Sequence, residues 1–206
     1  MYNVKNLDKW INNYIKNVNL DEIEWIKLNA TELDSFLEDN YLDRDEWEYV
    51  HDENASSLYP TLLGMSYLNI NSPINDKEYS FLLGIVDNSI GKKTIVASTI
   101  YLDEHFLFTN QEKPITYIST MEVNSFFRKK GIFKKMCKVL IYFVNPNQHV
   151  VTTRQTEMGL MCKTFDTLRD TLMYNGFKNY IFEDNYSVIH SELHDIVCSK
   201  RKVLKK

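Results

Sequence analysis

The stretch that decides the fold is Ile118-Ser-Thr-Met-Glu-Val123-Asn-Ser-Phe-Phe-Arg128-Lys-Lys-Gly131-Ile-Phe-Lys-Lys-Met136. An apolar strand leads into a loop, then Arg128-x-x-Gly131, then a helix whose first turns are rich in lysine. Free N–H groups at a helix start and the positive end of the helix dipole both favour anions. A glycine lets the backbone approach a ligand, and Arg or Lys matches its charge. The stretch therefore predicts a pyrophosphate site.

The strand valine five residues before Arg128, the R-x-x-G spacing and the strand-to-helix context resemble motif A of the GNAT superfamily of N-acetyltransferases. In that family the pattern is Q/R-x-x-G-x-G/A, and the loop binds the pyrophosphate of acetyl-CoA. Phe133 departs from it, because the family prefers Gly or Ala there, and a bulky side chain could tilt the helix or narrow the cofactor's approach. The resemblance implies cofactor contacts at Met121, Glu122, Val123, Arg128, Lys129, Lys130, Gly131, Ile132, Phe133 and Lys134.

The resemblance also points to two catalytic candidates, Glu122 and Tyr174. The family's usual carboxylate lies three or four residues before the strand valine, at positions that Ser119 and Thr120 occupy here. Glu122 is then the candidate general base, or it points outward and a water chain takes the proton. Tyr174 resembles the tyrosine that protonates the leaving thiolate, although Leu172 holds the family's position. The alternative for Tyr174 is a partly buried aromatic.

Length and composition favour one cytoplasmic domain over residues 1–206. A chain of 206 residues can bury one good core, and two domains would each be small. No apolar run approaches the ~20 residues that span a bilayer, and the N-terminus lacks a signal-peptide core. Three widely spaced cysteines argue against a disulfide framework. The pair His190-x-x-x-His194 has no adjoining carboxylate motif, so we expect no metal site.

Charge is divided unevenly along the chain. Residues 1–60 carry five Lys and Arg against fourteen Asp and Glu, a net charge of −9, which leaves +5 for the rest of the total of −4. Acidic residues with interleaved aromatics at 41–53 form either a solubilising surface or a wall that attracts an amine. A nucleic-acid-binding protein would be more evenly basic, so we expect neither nucleic acid nor membrane as a partner.

Periodicity and turn signals predict a mixed α/β order of elements. An apolar stripe indicates an additional N-terminal helix at about 6–18, and Thr31 offers an N-cap for a later helix. Two β-branched runs flank Asp87-Asn-Ser-Ile-Gly91 as a hairpin. The remaining predictions are a strand at 22–28, a short helical piece at 58–68, strands at 115–123, 149–153 and 178–182, helices from 132 to Asn145 and from 161 to Asn175-Gly176, and a strand or helix at 195–198.

This succession again resembles GNAT proteins. The resemblance implies a central, mostly antiparallel sheet of six to seven strands, splayed between strands 4 and 5 and flanked by helices. The first function hypothesis is transfer of an acetyl group from acetyl-CoA to a small-molecule or peptide amine, cationic by charge, through direct attack. The second is a non-catalytic GNAT-like module that binds CoA or phosphate. For the lysines beyond Gly131, a solvated helix face is the alternative to phosphate binding. A homodimer stays open.

Overall fold

The computed structural model describes the regions that position the predicted site. The described residues are 9, 11–41, 58, 61–62, 65, 79–105, 114–144, 149–152, 164–175, 182–191 and 194–201. The acidic segment 42–57 and the predicted turn at Gly176 lie outside them. The chain divides into two compact units, residues 1–100 with 121–132 and residues 101–120 with 133–206. The prediction of a single domain stays a prediction.

Five strands form one sheet in the order β1-β2-β3-β4-β5, with β1 at Glu24–Leu28, β2 at Ser80–Asp87, β3 at Lys93–His105, β4 at Ile115–Val123 and β5 at His149–Thr152. Two further strands, β6 at Phe182–Ser191 and β7 at His194–Arg201, pair with each other. A mixed α/β architecture with antiparallel pairing is confirmed. A single sheet of six or seven strands is not, because β6 and β7 form their own ladder.

The hairpin of β2 and β3 forms the described core of the first unit. Every residue from Phe81 to Val86 is buried, and so is every residue from Thr94 to Ile100. Strands that are covered on both faces have continuous apolar runs instead of alternation. β1 pairs antiparallel with β2, from Glu24 opposite Ile85 to Leu28 opposite Phe81.

Helix α1, Ala30–Tyr41, follows β1 and begins two residues earlier than predicted. The predicted cap at Thr31 is wrong, because Asn29 caps the helix. The Asn29 side chain accepts a hydrogen bond from the Glu32 amide at 2.8 Å, and the Glu32 carboxylate accepts one from the Asn29 amide at 2.8 Å. This reciprocal capping box satisfies two amides that the helix cannot. Leu33 and Leu37, one turn apart, are buried.

β4 has the predicted bounds and leads through the loop to helix α2, Ile132–Leu140. The helix ends five residues before the predicted stop at Asn145, and residues 141–144 continue as turns. β4 pairs in parallel with β5 from Ile115 opposite His149 to Ile118 opposite Thr152. A parallel neighbour needs a crossover connection, and α2 lies within it. The predicted separation of β4 from β5, beyond the residues that pair, stays a prediction.

Helix α3, Thr164–Tyr174, agrees with the predicted helix within three residues at its start. The strand predicted at 178–182 is described only from Phe182 onward, in β6. Residues 195–198, for which both helix and strand were open, lie in β7. Leu58, Leu62 and Met65 are helical and buried, as the short helical piece predicts.

Of the N-terminal helix predicted at about 6–18, the structure describes Lys9, which is helical, and residues 11–18, which begin with a turn wider than an α-helix. Residues Ile11–Ile15 form a π-type turn that the bond from the Lys16 amide to the Ile11 carbonyl closes at 2.9 Å. Asn17 at φ 69° ends it. Tyr14 is 2% exposed, and its carbonyl accepts a hydrogen bond from the Thr94 hydroxyl at 2.7 Å. Tyr14 thus joins this turn to the hairpin through burial of its side chain and the bond to its carbonyl.

Candidate anion-binding site

The loop after β4 begins at Asn124, which is 0% exposed. Its backbone amide donates to the Val96 carbonyl at 3.0 Å, and its side-chain Nδ2 donates to the Ile95 carbonyl at 3.1 Å. Its Oδ1 accepts from the Phe126 amide at 3.2 Å, and its carbonyl accepts from the Phe127 amide at 2.8 Å. One buried side chain therefore anchors the loop to β3 and also caps the short 3₁₀ turn Ser125–Phe127.

Arg128 folds back over the end of β4. Its Nε donates to the Val123 carbonyl at 3.1 Å, and its Nη2 lies 3.6 Å from the Glu122 carboxylate. The side chain remains 44% exposed. A guanidinium has five N–H donors, so these two contacts leave donors that can reach an anion. The sequence predicts that Arg128 binds a phosphate group. The structure adds that Arg128 contacts Val123 and Glu122 at the end of β4.

The next three residues reverse the hand of the backbone twice. Lys129 has φ 64° and Gly131 has φ 76°, while Lys130 between them has no positive φ. Alternation between right- and left-handed residues turns successive N–H groups toward one side and forms a concavity that binds anions. A side-chain carbon added at Gly131 would meet no atom within 4 Å. The glycine is there for its conformation, and the space beside it is open.

Helix α2 starts directly after this loop, with Ile132 buried and Phe133 half-buried. Phe133 does not break the helix, which runs nine residues. Met136, Cys137 and Leu140 are buried, and burial raises the pKa of the Cys137 thiol to about 12. The side chains of the lysines around the loop and on the outer helix face are exposed: Lys129, Lys130, Lys134, Lys135 and Lys138.

The lysines of the loop differ from Arg128, which faces the Glu122 carboxylate. Within the described part of the chain, no carboxylate pairs with Lys129, Lys130 or Lys134. Lys130 Nζ lies 5.9 Å from the centre of the Phe127 ring, and Phe127 is buried. A cation over an aromatic face is held without losing its charge. The loop therefore combines exposed cations with two residues of positive φ directly before a helix start, where the first amides have no intrahelical acceptor.

The predicted catalytic residues have very different surroundings. Glu122 is 17% exposed at its side chain and faces Arg128. Tyr174 is the last residue of α3 and is 91% exposed, so the interpretation as a partly buried aromatic is wrong. Glu122 lies in the first compact unit and Tyr174 in the second. Of the positions where the family has its carboxylate, Ser119 is buried and Thr120 half-buried.

Asn124 is the residue that sequence reasoning missed. Its signal is a short polar side chain directly after a strand and before two aromatics, the pattern of an N-cap. The cations and Gly131 mark the loop in the sequence. Its fixed position, however, depends on the neutral side-chain amide of Asn124. Among the residues that the structure describes, no three metal-ligating side chains cluster and no helix is long and apolar enough to cross a membrane.

No protein-family model and no curated protein sequence matches this chain significantly. Among solved structures, it is similar to AAC(6')-Iy in complex with the bisubstrate analog CoA-S-monomethyl-acetylneamine, with 13% identity and a TM-score of 0.42 over 80% of this chain and 98% of that one. It is also similar to the aminoglycoside acetyltransferase meta-AAC0020 from an uncultured soil metagenomic sample in complex with sisomicin. There the identity is 16% and the TM-score 0.42, over 73% and 88% of the two chains.

AAC(6')-Iy is an aminoglycoside N-acetyltransferase, and meta-AAC0020 is an aminoglycoside acetyltransferase. Identities and TM-scores of this size assign neither an acceptor nor a residue role to this chain.

Proposed function

We propose that this chain is a GNAT-type N-acetyltransferase that transfers an acetyl group from acetyl-CoA to a primary, cationic amine. The observation that supports it most is the loop at 124–131. There, two residues of positive φ precede a nine-residue helix, and the exposed Lys129, Lys130 and Lys134 have no carboxylate partner among the described residues. Anions are stabilised by this combination of backbone amides, helix dipole and charge.

The loop has the donors that a pyrophosphate needs. Amides around Gly131 would bind phosphate oxygens, while Lys129 and Lys130 supply charge from either side of the chain. Arg128 keeps two of its donors on Val123 and Glu122 and has others for the anion. Ile132, Phe133 and Lys134 complete the predicted contacts at the helix start. Charge-assisted hydrogen bonds of this kind are worth roughly 1.5–3 kcal/mol each.

The proposed reaction is a direct displacement at the thioester. The neutral amine nitrogen attacks the carbonyl carbon, the carbon–sulfur bond breaks, and the electron pair leaves on the CoA thiolate. A backbone N–H near Met121–Val123 would polarise the carbonyl oxygen. The amine's proton passes to Glu122 or to a water chain, and Tyr174 or water protonates the thiolate. Such an enzyme gains most of its rate by positioning.

The acceptor is proposed to be cationic because acids accumulate in the first sixty residues, with the densest run between Glu38 and Glu53. Negative potential raises the local concentration of a cation. Neutralising Asp43, Asp45, Glu46 and Glu48 together should raise KM for the amine and leave KM for acetyl-CoA unchanged. Asp21→Asn with Glu22→Gln, exposed acids outside that run, is the control.

A thermal shift comparing acetyl-CoA, CoA and ATP tests binding first. Stabilisation by acetyl-CoA and CoA but not ATP supports the proposal, and equal stabilisation by ATP points to a general phosphate site. Release of free thiol is then followed with polyamines, aminoglycosides, lysine peptides, and neutral and acidic amines. Faster turnover of acidic acceptors would count against a cationic substrate.

A second candidate function is binding without transfer. Glu122, the candidate base, already faces Arg128, and Tyr174, the candidate acid, is almost fully exposed at the end of α3. Binding of acetyl-CoA without thiol release from any amine in the screen would favour this candidate.

A further inference from the structure

Asn124 makes four hydrogen bonds in two directions. Toward β3, its amide and side-chain nitrogens donate to Val96 and Ile95, and toward the loop its two oxygens accept from Phe126 and Phe127. All these atoms belong to the same compact unit. A buried side chain that is hydrogen-bonded on two sides is held rigidly. Removing it leaves the groups that it bonded buried and without a hydrogen-bond partner.

No other small side chain can both donate to the Ile95 carbonyl of β3 and accept from the Phe126 amide of the loop. Serine can still cap the Phe126 amide but is too short to donate to the Ile95 carbonyl, and aspartate would turn an oxygen toward that carbonyl. The side chain of Asn124 is wholly buried and so does not itself reach the space beside Gly131. Its effect on a ligand must pass through the loop.

From these contacts we infer that Asn124 is a positioning residue that holds the phosphate loop in its binding geometry before the cofactor arrives. This inference rests on the proposed acetyl-CoA site. A loop that is already ordered costs less conformational entropy on binding than one that must be ordered by the ligand. Asn124 therefore acts on the affinity for acetyl-CoA and not on the chemical step.

The chain contains a matched control for this inference in Asn88. It is also a buried asparagine directly after a strand, and its Oδ1 accepts from the amides of Ile90 and Lys92 while its Nδ2 donates to the Thr94 hydroxyl. Its turn has no place in the proposed site. Asn88→Ser removes comparable bonds in the same unit and should lower stability in a similar way.

The experiment measures acetyl-CoA binding by calorimetry at several salt concentrations for the parent, Asn124→Ser and Asn88→Ser. We expect Kd to rise about tenfold in Asn124→Ser and to stay within about twofold of the parent in Asn88→Ser. The salt dependence of Kd should be parallel in parent and Asn124→Ser, because serine changes no charge. In turnover assays, KM for acetyl-CoA should rise while kcat at saturation stays within about threefold.

Equal affinities for parent and Asn124→Ser, or an equal loss in Asn88→Ser, would overturn the inference and leave Asn124 a structural residue only. If the parent itself does not bind acetyl-CoA, the proposed function fails and the inference fails with it. If Asn124→Ser does not fold, hydrogen exchange in the free parent decides. The amides of Phe126 and Phe127 should exchange slowly, and exchange as fast as in exposed loops would exclude a pre-anchored loop.

Discussion

The turn between β2 and β3 and the loop between β4 and α2 use the same backbone construction for different purposes. Each begins with a buried asparagine, Asn88 or Asn124, and each contains a glycine at nearly the same positive φ, 75° at Gly91 and 76° at Gly131. An added side-chain carbon would meet nothing within 4 Å at either glycine. The two differ at Lys129, whose positive φ has no counterpart among the non-glycine residues of the hairpin turn.

The hairpin turn and the loop after β4 differ in the pairing of their charged residues and in the residues to which their hydrogen bonds run. The hairpin turn closes on itself through the bonds between Asn88 and Lys92, and its cation Lys93 is paired with Asp87 at 2.9 Å and Glu24 at 3.5 Å. The hydrogen bond to Asp87 raises the pKa of Lys93. The loop after β4 leaves its lysines without such partners among the described residues.

The largest effect on acetyl-CoA binding is expected at Gly131, with Gly91 as the matched control. Gly131→Val and Gly91→Val both force a β-branched residue into the left-handed region, which costs roughly 1–3 kcal/mol of stability. Only Gly131→Val should also weaken acetyl-CoA binding, by more than about a hundredfold, because it fills the open space and turns the loop amides. Calorimetry and thermal denaturation of both variants measure this. Equal binding by Gly131→Val and the parent would place the pyrophosphate elsewhere.

The next effect compares one cation from each turn. Arg128→Ala removes the contacts with Val123 and Glu122 and a candidate phosphate donor, so acetyl-CoA affinity should fall about tenfold or more. Its binding should also depend less on salt than that of the parent. Lys93→Ala removes a cation that is already paired and should leave the affinity unchanged. A loss in Lys93→Ala as large as in Arg128→Ala would show general electrostatics instead of a local site.

A smaller effect is expected at Glu122. Glu122→Gln keeps the shape and removes the charge, and we expect turnover to fall about fivefold, with acetyl-CoA binding intact. Loss of a positioned general base typically costs ~10²–10⁴-fold, so this modest value corresponds to proton transfer through water. Measured kcat for Glu122→Gln and for Tyr174→Phe, which should be equally mild, tests it. A collapse of kcat with binding intact would make Glu122 the base.

The smallest effect concerns Cys137 on the helix after the loop. Burial raises its pKa from 9.0 to about 12 in the folded chain, so the unfolded chain loses this proton first as pH rises. Stability should therefore fall from about pH 9 upward, by roughly 1.4 kcal/mol at pH 10. Comparing Cys137→Ala with the parent by denaturant unfolding at pH 7 and pH 10 isolates this group. A decline of the same size in both would assign it to other residues.

Where one physical signal dominated, the sequence was sufficient to predict the structure. The bounds of β4 are the predicted ones, and the hairpin falls where its β-branched strands and Asn/Gly turn place it. The errors lie where two signals competed. Thr31 and Asn29 both suit an N-cap, and the reciprocal bond with Glu32 decides for Asn29. Helix α2 ends at Leu140, five residues before Asn145, and turns follow at 141–144.

The site was predictable in composition but not in its connections. Arg128-x-x-Gly131 and its lysines mark the loop in the sequence, and Gly131 has the conformation that its residue type suggests. Nothing in the spacing shows that Arg128 contacts Val123 or that Lys129 adopts a positive φ. Such features depend on how β3 and β4 meet at Asn124, which is a property of the folded sheet.

The N-terminal turn has a consequence for synthesis on the ribosome. Its hydrogen bonds reach Ser89 and Thr94, residues 76 to 80 positions later in the chain. At roughly 5–20 residues per second, about 4–16 seconds separate the emergence of Tyr14 from that of its partner. During that interval the carbonyls of residues 12–14 have no hairpin to contact, so this segment is made before the hairpin but reaches its final place only after it.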